Sequence, residues 1–487
     1  MKSKLEVNGF FTIGMAMENG LTRFIYEKSP IFFQNMFVSA VGRQNKKRRY
    51  GRKFHDQLEF LQKSQWFSKE ELEEYQNSML RRLIKHAYER SPYYGDLMKE
   101  HKLAPEDIKN KQDLTKLPIL SKEFVKANHQ SLFCTGFPKN QLLHGHTSGT
   151  TGTALPLVYT RDALASEYAT VWRLLTRFGV SLGSNYATFA GRMVVPLSQK
   201  SPPFWRYNYA GRQKLFSLYH MSRKNLKHYV EELERCSFEY YNGYPSSIFL
   251  VASYIVESGI DFGNPPKAIF TSAETLFDYQ KRAIEDAFKA HVYDRYGNSE
   301  FCSSMIQCQY GNYHVDMEFG IVEIDPLEET DDYVRGKLLC TGFANFAMPL
   351  IRYEIGDVAT VSKHLCPCGR KSTMVEQIDG RIEDYVITPD GNRIGRMDHV
   401  FKDMLNIKES QIIQESPESI TVKVVKRRDY GVKDEEALMR EFRQRLGDEI
   451  GIDLDYVEEI PRGANGKFRA VISDIKESKV GAERHAV

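Results

Sequence analysis

No stretch of about 18 uncharged apolar residues occurs in the chain, so the sequence offers no segment that reads as a membrane-crossing helix. Cysteine is scarce, seven in 487 residues and an odd number, which argues against a disulfide scaffold and for a reducing, cytoplasmic setting. An excess of one charge is lacking as well. Sixty-seven Lys and Arg against 64 Asp and Glu leave a formal charge of +3, too balanced to mark a nucleic-acid binder. Repeats and low-complexity tracts are missing. The start, Met1-Lys2-Ser3-Lys4, meets Glu6 at once, and the short apolar run 10–17 ends at Glu18 without a small-residue cleavage site, which does not read as a signal peptide. What remains is 41% hydrophobic and 27% charged, the composition of a folded globular protein. At roughly 150 residues per domain the length suggests about three domains, or one large and one smaller.

Along the chain, four regions are expected. Residues 1–57 form an N-terminal arm, apolar and aromatic at 29–40 and then basic through Arg43, Lys46, Lys47, Arg48, Arg49, Arg52 and Lys53. That pairing reads either as weak peripheral attachment to an anionic membrane or as an arm packed on the main domain with a solvated basic turn. Residues 58–379 form a large layered α/β domain. Its start, 58–91, has helical periodicity, with Ser68 and Glu71 spaced as a capping box. From about 140 to 375 short β-branched or aromatic runs (185–190, 267–271, 291–296) alternate with amphipathic helical ones (225–235, 278–290), followed by strand-like 320–325 and 335–341. Residues 380–476 read as a small α+β domain, with strands at 384–388, 410–415, 419–426 and 454–460 and a helix at 434–446. Residues 477–487 are a polar tail.

The most informative segment is His146-Thr147-Ser148-Gly149-Thr150-Thr151-Gly152-Thr153. Its glycines let the backbone approach a ligand closely and its hydroxyls are short donors, a combination suited to phosphate oxygens. It is not a Walker A loop, since no Gly-Lys-Ser/Thr follows. By itself the segment also reads as a Ser/Thr/Gly turn between strands.

Five further segments stand in order behind it: Thr271-Ser272-Ala273-Glu274, Tyr296-Gly297-Asn298-Ser299-Glu300, Arg352-Tyr353 with Gly356-Asp357, Asp379-Gly380-Arg381-Ile382-Glu383-Asp384, and Asn465-Gly466-Lys467. With 147–152 they resemble the ordered signatures of the adenylate-forming enzymes, and the likeness spans roughly residues 58–476. Within that superfamily the chain resembles phenylacetate–CoA ligase-like proteins, and among those the CapK type associated with capsular polysaccharide biosynthesis. Tyr244-Pro245-Ser246-Ser247, Cys-Pro-Cys-Gly-Arg at 366–370 and Pro202-Pro203-Phe204-Trp205-Arg206 carry the closer likeness, and the first 57 residues share it.

The resemblance implies a large multi-subdomain N-terminal domain of layered sheets and helices and a small mobile α+β C-terminal domain. It implies ATP-dependent, AMP-forming activation of a carboxylic acid. Residues 147–152 would hold the β- and γ-phosphates, and Ser272, Ala273 and Glu274 would lie along adenine. Tyr296, Gly297, Asn298 and Ser299 would complete the nucleotide site, Glu300 would help hold Mg²⁺, and Asp357 would hold the ribose hydroxyls. Arg381 and Glu383 would mark the hinge, and Lys467 would reach the carboxylate and the α-phosphate. The chemistry fits these residue types. Charge builds on the α-phosphorus in the transition state, so positioning and a compact cation are what catalysis needs. Taken singly, Glu300 reads as an exposed turn acid, Asp357 as a turn residue and Lys467 as a solvated lysine.

Departures from the pattern leave the acceptor open. Thr153-Ala154-Leu155-Pro156 replaces the usual Gly-Lys-Pro, Glu383 stands where Asp is usual, and Thr388-Pro389-Asp390-Gly391-Asn392 is not glycine-rich. The acceptor is CoA thiol, or an amine or hydroxyl on a sugar. A non-catalytic nucleotide-binding scaffold in a polysaccharide-assembly complex, and adenylyl transfer to a cofactor hydroxyl, are the other two readings.

Two further sites are expected. Cys308, His314, Cys366 and Cys368 make a donor set suited to structural Zn²⁺, with Cys302 and His364 as substitutes; alternatively Cys308 is a small buried hydrophobe and the 366/368 pair a free dithiol. Arg192, Trp205, His220 and Tyr244 are candidates for the acid pocket, Arg192 for pairing with a second acid on the substrate and His220 as a gate. Each also reads as structural.

Overall fold

The structure is a computed structural model and describes residues 20–147, 155–381, 386–389, 393–394, 397–401, 406–462, 468–473 and 475. Among the described residues, the arm carries α1 (Gly20–Lys28) and α2 (Ile31–Arg49). The periodic stretch after it divides into α3 (Arg52–Ser64) and α4 (Lys69–Arg90). The break falls at the expected capping box: the Glu71 amide donates to Ser68 Oγ at 3.1 Å and the Ser68 amide to Glu71 Oε2 at 2.7 Å. Then come α5 (Pro92–Glu100), α6 (Lys122–Leu132), the hairpin β1 (Leu142–His146) and β2 (Pro156–Thr160), and α7 (Arg161–Arg177).

Next follow β3 (Tyr186–Phe189), β4 (Trp205–Asn208), β5 (Gln213–Phe216), α8 (Arg223–Arg235), β6 (Tyr240–Gly243), α9 (Pro245–Glu257), β7 (Ala268–Ser272), α10 (Asp278–Phe288) and β8 (Val292–Gly297). Strands β9 (Ser304–Gln307), β10 (Tyr313–Val315), β11 (Gly320–Glu329), β12 (Tyr333–Gly342), β13 (Tyr353–Ser362) and β14 (Met374–Arg381) extend the sheet. Its twelve strands run in the order β11-β12-β13-β14-β10-β9-β8-β7-β6-β3-β5-β4. Strands β5, β3, β6, β7 and β8 are mutually parallel, and the remaining pairings are antiparallel.

Alternation of side chains across the sheet divides the core. Strand β7 sends Ala268 and Phe270 into one cluster with α3, α4 and α7, and Ile269 into another with α8, α9 and α10. A ligand therefore meets the parallel strands only at their ends. In such sheets the carboxyl ends, where the following loops diverge, form the binding crevice.

A third cluster, from Val386 to Val471, packs under β15 (Val386–Ile387), β16 (Arg393–Ile394), β17 (Ile407–Ser416), β18 (Ser419–Lys426), α11 (Val432–Leu446), β19 (Gly451–Tyr456) and β20 (Val471–Ser473). Its four-stranded sheet is ordered β19-β18-β17-β20. The strand expected at 454–460 lies instead at 451–456, because β19 pairs in parallel with β18 only through Tyr456. Of the strand expected at 384–388, Val386–Ile387 is one, and residues 382–385 fall outside the described set.

The arm packs through Tyr26 and Val38 onto Val194, Val195 and Leu215. Gln34 ties it down: its Nε2 donates to the Tyr26 carbonyl at 3.0 Å, and its Oε1 accepts from Arg206 Nε at 2.6 Å. The opposite face of α1 and α2 leaves Phe24, Ile25, Phe32, Phe33 and Met36 exposed. Among the described residues no helix is long and apolar enough to cross a membrane.

Candidate active site

The segments expected to bind nucleotide converge on the carboxyl ends of the parallel strands. Thr271-Ser272 ends β7 and leads into Ala273, whose φ of +71° is a left-handed conformation uncommon for a residue with a side chain. Glu274 follows and is enclosed. Its Oε2 accepts from the Ser246 amide at 3.3 Å, next to Tyr244 after β6, and its Oε1 accepts from the Phe468 amide at 2.7 Å. Burial pushes its carboxyl up, against those two hydrogen bonds and the Arg462 charge.

Strand β8 delivers Tyr296 and Gly297, and a tight turn follows. Asn298 holds that turn, with Nδ2 donating to Ser303 Oγ at 2.7 Å and Oδ1 accepting from the Cys302 amide at 3.0 Å. The Ser299 carbonyl accepts from the hydroxyl of Tyr159 on β2. Glu300 is buried, and its Oε1 accepts from Tyr353 Oη at 3.2 Å. The Tyr296 hydroxyl donates to Asp357 Oδ2 at 2.5 Å, joining two motifs 61 residues apart. Asp357 stands opposite Arg381 in the β13–β14 register, and Gly380 beside it has a φ of +78° that favours glycine. One residue earlier, Asp379 Oδ2 pairs with Arg335 Nε at 2.7 Å.

Thr147 is described and pins the mouth of the expected phosphate loop. Its amide donates to the Leu155 carbonyl at 3.0 Å, and the Leu155 amide donates back to Thr147 Oγ1 at 3.1 Å. Ser148, Gly149, Thr150, Thr151 and Gly152 lie outside the described residues, as do Glu383, Lys467 and the side chain of Arg381. Phe468, adjacent to Lys467 in sequence, is the described residue that meets Glu274.

The four pocket candidates separate. Tyr244 lies beside Glu274; burial, and then the charge of Glu274, push its phenol up to about 12. Arg192, after β3, shares that region with Tyr168, Tyr186 and Tyr244. His220 is buried, stacked on Phe204 at 5.3 Å, with Nδ1 at 2.7 Å from Ser217 Oγ. It also lines a cavity of about 780 Å³ shared with Lys408 and Arg462 of the C-terminal part. Burial lowers its imidazole below the usual histidine value. Trp205 packs into the sheet edge, 5.6 Å from Phe216 and 6.3 Å from Tyr229.

Sequence reasoning missed Tyr159, quoted Tyr353 only as part of the Arg352-Tyr353 motif, and placed Arg49 only in the basic run of the arm. What these three side chains touch carries no local signal, and only long-range packing places it.

The cysteine set comes together. Ligand atoms of Cys308, His314, Cys366 and Cys368 all lie within 4.8 Å of one another, and all four residues are buried. The Cys308 and Cys366 sulfurs are 3.7 Å apart, close to the roughly 3.8 Å edge of a tetrahedron with Zn–S bonds of about 2.3 Å. Cys368 Sγ is 3.2 Å from His314 Nε2, and His314 Nδ1 is 3.3 Å from Ser372 Oγ. The substitutes lie elsewhere: His364 faces Asp332 at 2.9 Å, and Cys302 is held at Asn298.

Residues 386–474 match the family model of the CapK C-terminal domain. The chain is 28% identical to Protein CapK of Staphylococcus aureus over 94% of this chain and all of that protein. It is 23% identical to the phenylacetate-coenzyme A ligase of Thermus thermophilus over 66% of this chain and 72% of that one. Among solved structures, 2-hydroxyisobutyryl-CoA ligase in its postadenylation state superposes with a TM-score of 0.66 at 19% identity, covering 84% of this chain and 91% of that one. The same ligase in its thioesterification state gives 0.53 at 20% identity over 83% and 90%. With residues 386–474 matching the CapK C-terminal model behind the turn at Gly380, the chain is a homologue of CapK and of the phenylacetate–coenzyme A ligases, built on the fold of the adenylate-forming ligases.

Proposed function

We propose that the protein activates a carboxylic acid with ATP to an acyl-adenylate and then passes the acyl group to an acceptor. The observation that carries this reading is the convergence of Glu274, Glu300 and Asp357, each fixed by a hydrogen bond to a distant segment, with the residue after Lys467 docked on the first of them. A carboxylate oxygen of the acid attacks the α-phosphorus, and the bond to the β-phosphate breaks with release of pyrophosphate. The acceptor then attacks the acyl carbon, and AMP leaves.

In the first half-reaction Lys467 neutralises the charge growing on the α-phosphate and the incoming carboxylate. Asp357 holds the ribose hydroxyls, and its bond from Tyr296 fixes which oxygen faces them. Residues 147–152 bind the β- and γ-phosphates, from a loop whose two ends Thr147 and Leu155 hold together. Glu300 fits the role of a Mg²⁺ ligand: it is a carboxylate oriented by Tyr353. The ion would supply charge neutralisation at the phosphates. In the second half-reaction Gly380 and Arg381 let the C-terminal part turn. The acceptor is CoA, or an amine or hydroxyl of a polysaccharide precursor.

Cys308, His314, Cys366 and Cys368 fit Zn²⁺, whose contribution would be structural: it would tie β9 and β10 to the turn before β14. The cysteine usage supports a cytoplasmic setting. The exposed Phe32, Phe33, Met36 and Ala40, followed on the same face of α2 by Arg43 and Lys47, support weak binding to an anionic membrane surface.

Pyrophosphate release over a panel of acids, with and without CoA, tests the central reading. Lys467→Ala should cut release by about a hundredfold or more. Release that is unchanged in that variant removes Lys467 from the mechanism. Nucleotide binding with no acid turned over favours a scaffold.

A further inference from the structure

Two guanidinium groups set side by side and partly withdrawn from water are stabilised by an anion that joins them. Arg49, in the last turn of α2, lays its guanidinium over the ring of Tyr168, 4.3 Å from the centroid. Its Nε and Nη2 are buried and have no hydrogen-bond acceptor among the described residues. Tyr168 is itself buried, and its hydroxyl likewise has no hydrogen-bond partner among them. Arg192 lies next to this pair. Burial, and then the charge of Arg49, hold its guanidinium below the ordinary value. Tyr50, Tyr186 and Tyr244 complete the surroundings.

Among the described residues, two acids of this neighbourhood have partners of their own. Glu167 pairs with Arg295 at 2.8 Å, and Glu274 accepts from Ser246 and Phe468. The location adds to the argument. Arg192 follows the carboxyl end of β3 and Tyr244 that of β6, so the cluster sits in the same crevice as Glu274 after β7.

We infer that Arg49, Arg192 and Tyr168 receive a second anionic group on the acid substrate, a carboxylate or a phosphate, so that the acid class is dianionic. This rests on the ligase reading above. Two guanidinium forks and a phenol make a donor set matched to carboxylate or phosphate oxygens. The acid is then held by the end that does not react, which aims the other carboxylate toward the nucleotide.

The test uses the full-length chain. Thermal midpoints are measured at equal ionic strength with succinate, glutarate and 3-phosphoglycerate, each against its monoanionic counterpart: monomethyl succinate, monomethyl glutarate and glycerate. At least one dianion should raise the midpoint where its counterpart does not. Arg49→Met and Arg192→Met should each erase that difference, and Arg192→Lys should keep part of it. In ATP–pyrophosphate exchange, a preference of about a hundredfold in kcat/KM for the dianion should collapse toward one in the Met variants. The inference is overturned by a wild type with no selective protection, or by Met variants that keep it. It is also overturned if those variants lose protection by ATP as fully as protection by the dianion, because the arginines then serve nucleotide phosphates. Selective protection without exchange on any acid would instead defeat the ligase reading and leave the anion site standing. Exchange on monoacids alone would do the reverse.

Discussion

The backbone amide of Phe468 donates to the carboxylate of Glu274 across 194 residues of sequence, at 2.7 Å. This bond fastens the C-terminal part to the lip of β7, one residue beyond Lys467. The docked arrangement is therefore tied to the protonation and shape of one buried acid.

Glu274 gives a pH prediction. Its carboxyl is raised by burial above an ordinary value of 4.5. A carboxyl raised in the folded state contributes stability that is complete below its unfolded value and is lost as pH rises through the folded one. The midpoint of the wild type relative to Glu274→Gln should therefore be most favourable near pH 4 and decline toward pH 7. A difference that stays flat over that range counts against the burial argument.

Tyr296 and Asp357 are expected to act on ATP together. Asp357→Ala should raise the KM for ATP by about tenfold, in line with about 1.4 kcal/mol for a lost charged hydrogen bond. Tyr296→Phe should raise it less, and the double variant should be no worse than Asp357→Ala alone. Additive effects in that cycle would mean that the tyrosine does not work through the aspartate.

The cysteine cluster should carry metal. Purified protein should contain about one zinc per chain by elemental analysis. Cys366→Ser should lose that zinc and lower the melting midpoint by several degrees. Zinc-free protein whose stability is indifferent to Cys366→Ser would reduce the four residues to buried side chains.

The exposed face of α2 should bind vesicles of mixed phosphatidylglycerol and phosphatidylcholine at low salt. Phe32→Ser with Phe33→Ser should weaken cosedimentation, and Lys46→Glu with Lys47→Glu should weaken it by about 1 kcal/mol per residue or more. Salt should release the protein. Binding that ignores both pairs would assign the face to something other than lipid.

The segments expected to bind nucleotide were legible in the sequence because they are short, contiguous and ordered. Ser68 and Glu71 were legible for the same reason, their capping box being a local pattern. The supports of those motifs were not. Tyr353 reaches Glu300 from 53 residues away and Tyr159 reaches Ser299 from 140; Tyr159 does not differ locally from any core aromatic, and the motif that holds Tyr353 does not show its partner. On sequence grounds Trp205 is a candidate for the acid pocket; what the sequence did not show is that β4 pairs with β5 and that the ring lies near Phe216 and Tyr229. The cysteines fell between these cases. Cys366 and Cys368 mark themselves, and Cys308 and His314 join them because β9 and β10 run antiparallel and bring the two residues to one end of the pair.

Helix α2 runs from Ile31 to Arg49, and a rigid helix rises about 1.5 Å per residue. Phe32 is exposed near one end, and Arg49 sits at the other beside Arg192. The helix therefore works as a ruler of about 26 Å between whatever the outer face touches and the Arg49 end beside Arg192. Anything that tilts or shifts the arm on the main domain moves Arg49 by the same rigid displacement. On the proposals above, attachment and substrate choice would be two readings of the position of one rod.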